Sequence, residues 1–233
     1  MAVADSQTKI YRCINNHSFD VAREGYLNLH LAQHKRSKSP GDSEPMIKSR
    51  QRFLNGGYYQ PLADAISNTI NNCPLSFEQK LLDIGCGEGY YLQQLRNIAE
   101  RSNANLELLG LDVSKAGVRL AAKRKLNALL VVDSAYKIPL FDHSVDTVLS
   151  VFSPISPEET ARVLKTDGYL IMVGPGEEHL TGLTAHIYDQ HQPHAGNFKA
   201  LDDHPAFALQ EQIEIKATIT VNGADIFDLL TMT

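Results

Sequence analysis

Residues 80–91, KLLDIGCGEGYY, constrain the fold of this chain more than any other stretch. Leu81, Leu82 and Ile84 form a short apolar run that reads as a buried strand. The run breaks into Gly85-Cys86-Gly87-Glu88-Gly89, after which Tyr91, Leu92 and Leu95 recur at helical spacing. Strand, glycine loop and helix in that order make the entry unit of a parallel nucleotide-type site. Glycine lets the backbone turn sharply and approach a ligand, and the helix start offers unpaired N–H groups. The spacing is Gly-x-Gly-x-Gly, which differs from the Gly-x-Gly-x-x-Gly dinucleotide fingerprint. No Gly-x-x-x-x-Gly-Lys-Ser/Thr phosphate loop occurs anywhere in the chain.

The residues that follow alternate between strand and helix. The pattern predicts strands over 106–111, 128–132, 145–151 and 169–173, with helices over 114–126 and 157–164. Ser114 stands where an N-cap is needed. A further strand is expected over 213–221 and an amphipathic helix over 224–230. Upstream, 46–72 predicts two helical pieces separated by Gly56-Gly57-Tyr58-Tyr59. This alternation implies a doubly wound α/β sheet, which binds ligands at the carboxyl ends of its strands. Asp112 closes the second strand, where an acid accepts hydrogen bonds from both ribose hydroxyls. Asp133-Ser134-Ala135 closes the third, where an adenine edge would lie.

At 233 residues the chain holds one sizeable domain with room for a small appendage. No apolar run approaches the roughly 20 residues that cross a bilayer, and residues 1–12 lack a signal-peptide core, so no membrane partner is expected. Cys13, Cys73 and Cys86 are too scattered for a disulfide framework, so a reducing, cytoplasmic setting is expected. The net charge of −5 hides an asymmetry: residues 1–60 carry nine Lys/Arg against five acids, and the remainder 13 against 22. A basic front on an acidic body suits a polyanion-binding module, and equally a solvated face. Lys35, Arg36, Lys38, Lys48, Arg50 and Arg52 are the cations able to track phosphates.

Taken in order, DIGCGEG, GLDVS, DSAYKIPLFDHSVDTVLS and RVLKTDGYL resemble the motif set of the class I S-adenosylmethionine-dependent methyltransferases, over about residues 80–175. The resemblance implies a Rossmann-like seven-stranded sheet and S-adenosylmethionine as cofactor. Its contacts would come from Asp83, Gly85, Gly87, Gly89, Asp112, Val113, Asp133, Ser134 and Ala135. Such chemistry holds a nucleophile in line with an activated methyl, so positioning supplies much of the acceleration. No covalent enzyme nucleophile is required, and Cys86 reads as a small filler in the loop. Phe152-Ser153-Pro154, after the fourth strand, would line the acceptor pocket.

Outside those motifs the chain resembles one family more specifically, the bacterial 23S rRNA (guanine-N1-)-methyltransferases of the RlmA/RrmA type. The resemblance rests on Cys13-x-x-x-His17, Ala22-Arg23-Glu24-Gly25-Tyr26-Leu27-Asn28-Leu29, Gln33-His34-Lys35-Arg36-Ser37-Lys38-x-Pro40-Gly41 and Phe53-Leu54-x-x-Gly57-x-Tyr59-x-Pro61-Leu62. Gly174-Pro175-Gly176-x-x-His179-Leu180 and the closing Leu229-Leu230-x-Met232-Thr233 extend it to the end. It implies a β-rich, zinc-ribbon-like RNA-recognition module over 1–35, a basic linker and helices over 36–75, and a methyltransferase domain over 76–233. The implied substrate is guanine N1 in a hairpin loop of 23S ribosomal RNA, and a homodimer is implied as well. Tyr59, Glu88 and His179 join the implied cofactor contacts. The family's module carries two metal-binding pairs, and here only Cys13 and His17 remain, half of a four-ligand zinc site.

A guanine methylated on its Watson–Crick edge must be unpaired or extruded, so an aromatic surface is wanted. Tyr58, Tyr59, Phe152 and Tyr188 are candidates. The departing N1 proton needs a base, for which Asp133, Asp146 and His179 are eligible. Two other readings stand beside this one: a small-molecule methyltransferase, and a non-catalytic RNA-binding relative.

Overall fold

The computed structural model describes residues 3–5, 10–12, 16–30, 40–73, 78–183 and 197–233. Three short strands, β1 (Val3–Asp5), β2 (Ile10–Arg12) and β3 (Ser18–Asp20), form an antiparallel sheet in that order. After β4 (Leu27–Asn28) come the helices α1 (Glu44–Asn55) and α2 (Gln60–Asn72). Then follow β5 (Glu78–Ile84), α3 (Tyr90–Ser102), β6 (Asn105–Asp112), α4 (Lys115–Lys123) and β7 (Ala128–Val132). The chain continues through β8 (Val145–Val151), α5 (Pro157–Val163), β9 (Leu164–Val173) and α6 (Gly223–Met232).

The second sheet runs β4-β7-β6-β5-β8-β9, and every neighbouring pair is parallel. From β5 the chain moves outward through β6 and β7, then returns to the other side of β5 as β8. The strand order therefore reverses between β5 and β8, and a doubly wound sheet opens its ligand crevice at that switch point. Both faces are covered, as a parallel sheet requires. Leu81 faces a cluster with Ile66, Ile70, Leu92, Leu95, Val118 and Ala121 from α2, α3 and α4. Leu82 and Ile84 face the opposite cluster with Leu109, Leu111, Val145, Val148 and Val163, against which Tyr11, Phe19 and Val21 of the front module pack.

The two-piece reading of 46–72 holds, with the break at Gly56 and Gly57, the latter at φ +82°. Ser114 caps α4 by accepting from Gly117 N–H at 3.3 Å. The helix ends at Lys123, short of the expected residue 126, because Lys125 adopts φ +56°. Two expectations need correction. The described residues form six strands in the main sheet, with β4 of the front segment on its edge, against the seven expected. Residues 213–221 are not a strand. Their alternation places Ile219 and Val221 against Phe53, Leu229 and Met232 of α1 and α6, so this apolar face packs on helices and not on a sheet edge.

Helix α6 is tied to α1 by an Arg52–Asp228 ion pair, by Arg50 donating to the Met232 carbonyl at 2.8 Å, and by Tyr58 Oη donating to Asp225 at 2.5 Å. Tyr58 also stacks on Phe53 with ring centroids 4.7 Å apart, so its role is packing. Leu92 is fully buried on the face of α3 that presses the glycine-loop strand. Leu92→Ala should cost about 2–5 kcal/mol of stability in denaturant unfolding; a loss below about 1 kcal/mol would contradict this packing.

Candidate active site

Three glycines make the loop after β5, and each has a distinct physical task. Gly85, Gly87 and Gly89 have φ of +75°, +53° and +84°, where an L side chain is strained. A Cβ on Gly85 would stand 2.0 Å from Ser153 Oγ, so glycine there admits the turn after β8. A Cβ on Gly89 would meet Ala121 of α4 at 2.9 Å. A Cβ on Gly87 would meet nothing nearer than 4.0 Å, so backbone and open space face each other there. No side chain caps α3, which leaves its first-turn N–H groups to a ligand.

Asp112 holds this loop in place. One carboxylate oxygen accepts from Gly87 N–H at 2.8 Å and the other from Ser114 N–H at 2.7 Å. Each oxygen keeps a second acceptor site, enough for two ribose hydroxyls. Burial raises the Asp112 pKa, and the bonds from Ser114 and Gly87 pull it back. Val113 follows it, and Asp133, Ser134 and Ala135 sit half-buried beyond β7. Asp133 accepts from the N–H of Ser134 at 2.9 Å and lies 3.5 Å from His30 Nδ1.

Asp83, at the end of β5, is 2% exposed, and its Oδ2 has no hydrogen-bond partner. Burial, with the Asp112 charge nearby, pushes its pKa up to about 8. Burial raises the Cys86 thiol as well, and Cys86 packs against Gly110, as a filler should.

Several residues named from the sequence have partners within the protein. Glu88 is buried with its carboxylate on Arg124, and Gln51 donates to it at 3.4 Å; the side chain clamps the loop to α4 and α1. Asp146 lies at the start of β8, opposite the ligand end, and accepts from Lys80 N–H at 2.9 Å and Lys165 Nζ at 2.7 Å. It is therefore a structural acid and no base. Lys48, Arg50 and Arg52 are each paired with a carboxylate, from Glu44, Asp42 and Asp228 respectively. That pairing blunts their part in phosphate tracking. Lys35, Arg36, Lys38, Tyr188 and Cys13 lie outside the described residues.

Aromatic rings close the crevice beyond Ser153. Phe152 is 43% exposed and adopts φ +53°, a cost of about 1–3 kcal/mol for a non-glycine residue. Its N–H donates to Val173 at 2.9 Å, and Ser150 Oγ donates to the Ser153 carbonyl at 2.9 Å, which fixes the turn. Tyr59 meets the ring edge-on at 6.2 Å between centroids, and the His179 ring lies tilted to it at 5.6 Å. Burial raises the Tyr59 pKa, so its hydroxyl stays neutral.

This chain is similar to three curated relatives. It is 34% identical over 180 residues to the 23S rRNA (guanine(748)-N(1))-methyltransferase of Streptomyces fradiae, covering 76% of this chain and 62% of that protein. A provisionally named 23S rRNA (guanine-N(1)-)-methyltransferase of Micromonospora griseorubida is 33% identical, over 74% of this chain and 61% of its own length. YxjB of Bacillus subtilis, provisionally named in the same way, is 32% identical over 221 residues, which are 93% of this chain and 77% of YxjB. The chain belongs to the 23S rRNA (guanine-N1-)-methyltransferase family. Residues 3–38 match the family described as RlmA, N-terminal, and residues 81–168 match the methyltransferase domain. The chain spans about three fifths of the length of the first two relatives.

The residues present fit the S-adenosylmethionine that the resemblance to methyltransferases implies: an open cradle at Gly87, an uncapped helix start, and acceptors at Asp112. Zinc fits poorly. Residues 3–38 hold one cysteine, Cys13, with His17, His30 and His34, and a structural zinc wants four ligands. His30 is turned to Asp133, His17 is exposed, and no metal-holding cluster occurs among the described residues. His30 and Asp42 were given no role from the sequence, because their partners Asp133 and Ser114 lie far along the chain; Ser153, named as pocket lining, also proves to abut Gly85.

Gly85→Ala should abolish cofactor binding in a calorimetric titration, since Ser153 occupies the space; retained affinity would contradict the close approach. A second outcome follows from Asp83. Its folded pKa lies above the value near 4 of an unfolded aspartate, so the native state binds the extra proton. Stability of the cofactor-free protein therefore falls as pH rises from about 4 to about 8. Asp83→Asn should flatten that decline in unfolding curves between pH 5 and 8. An unchanged decline would place the burden on other groups.

Proposed function

We propose that the protein transfers a methyl group from S-adenosylmethionine to N1 of a guanine in a hairpin loop of 23S ribosomal RNA. The observation that carries the reading is the exposed Phe152 ring, held in a strained turn against the glycine loop through Ser153 and flanked by Tyr59 and His179. An unpaired base stacks on such a face, and stacking contributes about 1–3 kcal/mol per base. The printed names of the curated relatives and the basic residues of the front segment support the same substrate. An rRNA substrate also suits a cytoplasmic setting, and a homodimer remains part of the proposal.

The bound cofactor supplies an electrophilic methyl carried on a positive sulfur. The protein's part is positional. Asp112, Val113 and Asp133–Ala135 would hold the ribose and adenine, while Gly87 and the start of α3 receive the remaining polar groups. Phe152 and Tyr59 would present the guanine edge and exclude water, so that geometry supplies the acceleration. Of the bases considered, His179 stands beside Phe152 and is the one we assign to take the N1 proton.

The test is incubation with labelled S-adenosylmethionine and unmodified 23S rRNA, followed by primer extension. A methyl on guanine N1 blocks pairing, so a polymerase stop at one loop guanine is expected. Transfer to a small metabolite without any stop would favour the small-molecule reading instead. Phe152→Ala should raise the RNA KM about 5- to 150-fold, the equivalent of that stacking energy, with a much smaller change in cofactor affinity. An unaltered RNA KM would remove Phe152 from the acceptor site.

A further inference from the structure

We infer that Asp83 is the counter-charge for the methyl donor, neutral in the cofactor-free protein and ionised only when the positively charged donor is bound. The inference rests on the S-adenosylmethionine reading and deepens it. On binding, the O–H bond of the Asp83 carboxyl breaks and the proton passes to solvent, leaving a carboxylate opposite a cation. The demethylated product has an uncharged sulfur, so Asp83 keeps its proton against it. The residue thereby discriminates donor from product.

The surroundings of Asp83 carry the argument. The side chain is 2% exposed, and its Oδ2 reaches neither solvent nor any hydrogen-bond donor. A carboxylate left so bears an uncompensated desolvation penalty, which an apolar residue or an amide with a partner would avoid. As a purely structural group it is therefore a liability.

The groups facing it are of the wrong sign to compensate. Asp112 from β6 is a second acid, and Cys86 in the loop is held neutral by burial. Glu88 in the same loop holds Arg124 with one oxygen while the other is buried without a partner, so it offers no positive charge, and Tyr91 of α3 is held neutral by burial, with Tyr59 and Tyr90 beside it. Arg50 of α1 is the cation on this side, and it is bound to Asp42 and the Met232 carbonyl. The missing positive charge is what the donor brings: its ammonium is balanced by its own carboxylate, and its sulfonium is unmatched. The upward push on the Asp83 pKa to about 8 agrees with a neutral group in the empty site.

Calorimetric titration of the full chain at pH 7, in two buffers of different ionisation enthalpy, counts the protons exchanged. S-adenosylmethionine should release about 0.9 proton per site, the protonated share of an acid of pKa about 8, and S-adenosylhomocysteine close to none. Donor affinity should rise nearly tenfold per pH unit from about 6 to 7.5, while product affinity stays flat. In Asp83→Asn the proton release and the pH slope should vanish, and the donor should lose at least about tenfold relative to the product. The wild-type proton counts stand even where that variant fails to fold. Equal release with both ligands, or none with either, overturns the inference. Failure of wild-type protein to bind the donor at all would instead overturn the cofactor reading.

Discussion

The two hydrogen bonds into the Asp112 carboxylate are the constraint on which the rest of this structure depends. One comes from Gly87 N–H in the loop after β5, and the other from Ser114 N–H at the cap of α4. A single side chain thus sets the loop against the next helix, and Gly117 of α4 comes close enough that its absent Cβ would stand 3.0 Å from Gly87 O. Bonds to an ionised acceptor contribute more than neutral ones, about 1.5–3 kcal/mol each. Gly85 N–H and Cys86 N–H both reach the Leu111 carbonyl, at 2.8 and 3.1 Å, so the same strand end receives the loop twice. Without that clamp, three left-handed glycines would be free to take many conformations, and the open face at Gly87 would not persist.

The front segment is built into this clamp and does not merely precede it. Leu27 and Asn28 pair in parallel with Val131 and Val132, adding β4 to the edge of the main sheet. Leu29 and His30 N–H both reach the Val132 carbonyl at 3.0 Å, which sets His30 against Asp133. Farther on, Asp42 accepts from Ser114 Oγ at 2.9 Å through its carbonyl and from Arg50 through its carboxylate. Segments whose family likeness points to RNA recognition therefore touch the residues proposed to hold adenine and ribose.

The parts of the site that follow local rules were legible in the sequence. Gly85, Gly87 and Gly89 announced a turn because glycine takes those angles without strain, Ser114 announced a cap, and Asp112 announced an acid at a strand end. What was not legible depends on partners far away in the chain. Arg124, which holds one oxygen of Glu88, is not marked by anything near Glu88 in the sequence; Arg50 and Arg52 looked like phosphate readers, yet Asp42 and Asp228 claim them. The alternation over 213–221 was real, but periodicity says which face is apolar and not what covers it. Ile219 and Val221 settle on the Phe53–Leu229–Met232 cluster, so the segment never pairs as a strand. Phe152 was named from the sequence as pocket lining, but the turn that exposes its ring is set by Val173 and by the Ser153–Gly85 approach, which are not local.

The central claim is that this crevice, clamped by Asp112, seats S-adenosylmethionine with its methyl toward Phe152. A crystal structure of the protein grown with saturating S-adenosylmethionine tests it most directly. The account predicts both ribose hydroxyls within about 2.6–3.2 Å of the Asp112 carboxylate, backbone of Gly87 against the cofactor, and adenine beside Val113 and Asp133–Ala135. A cofactor bound elsewhere, or one in this crevice whose ribose ignores Asp112, would contradict it.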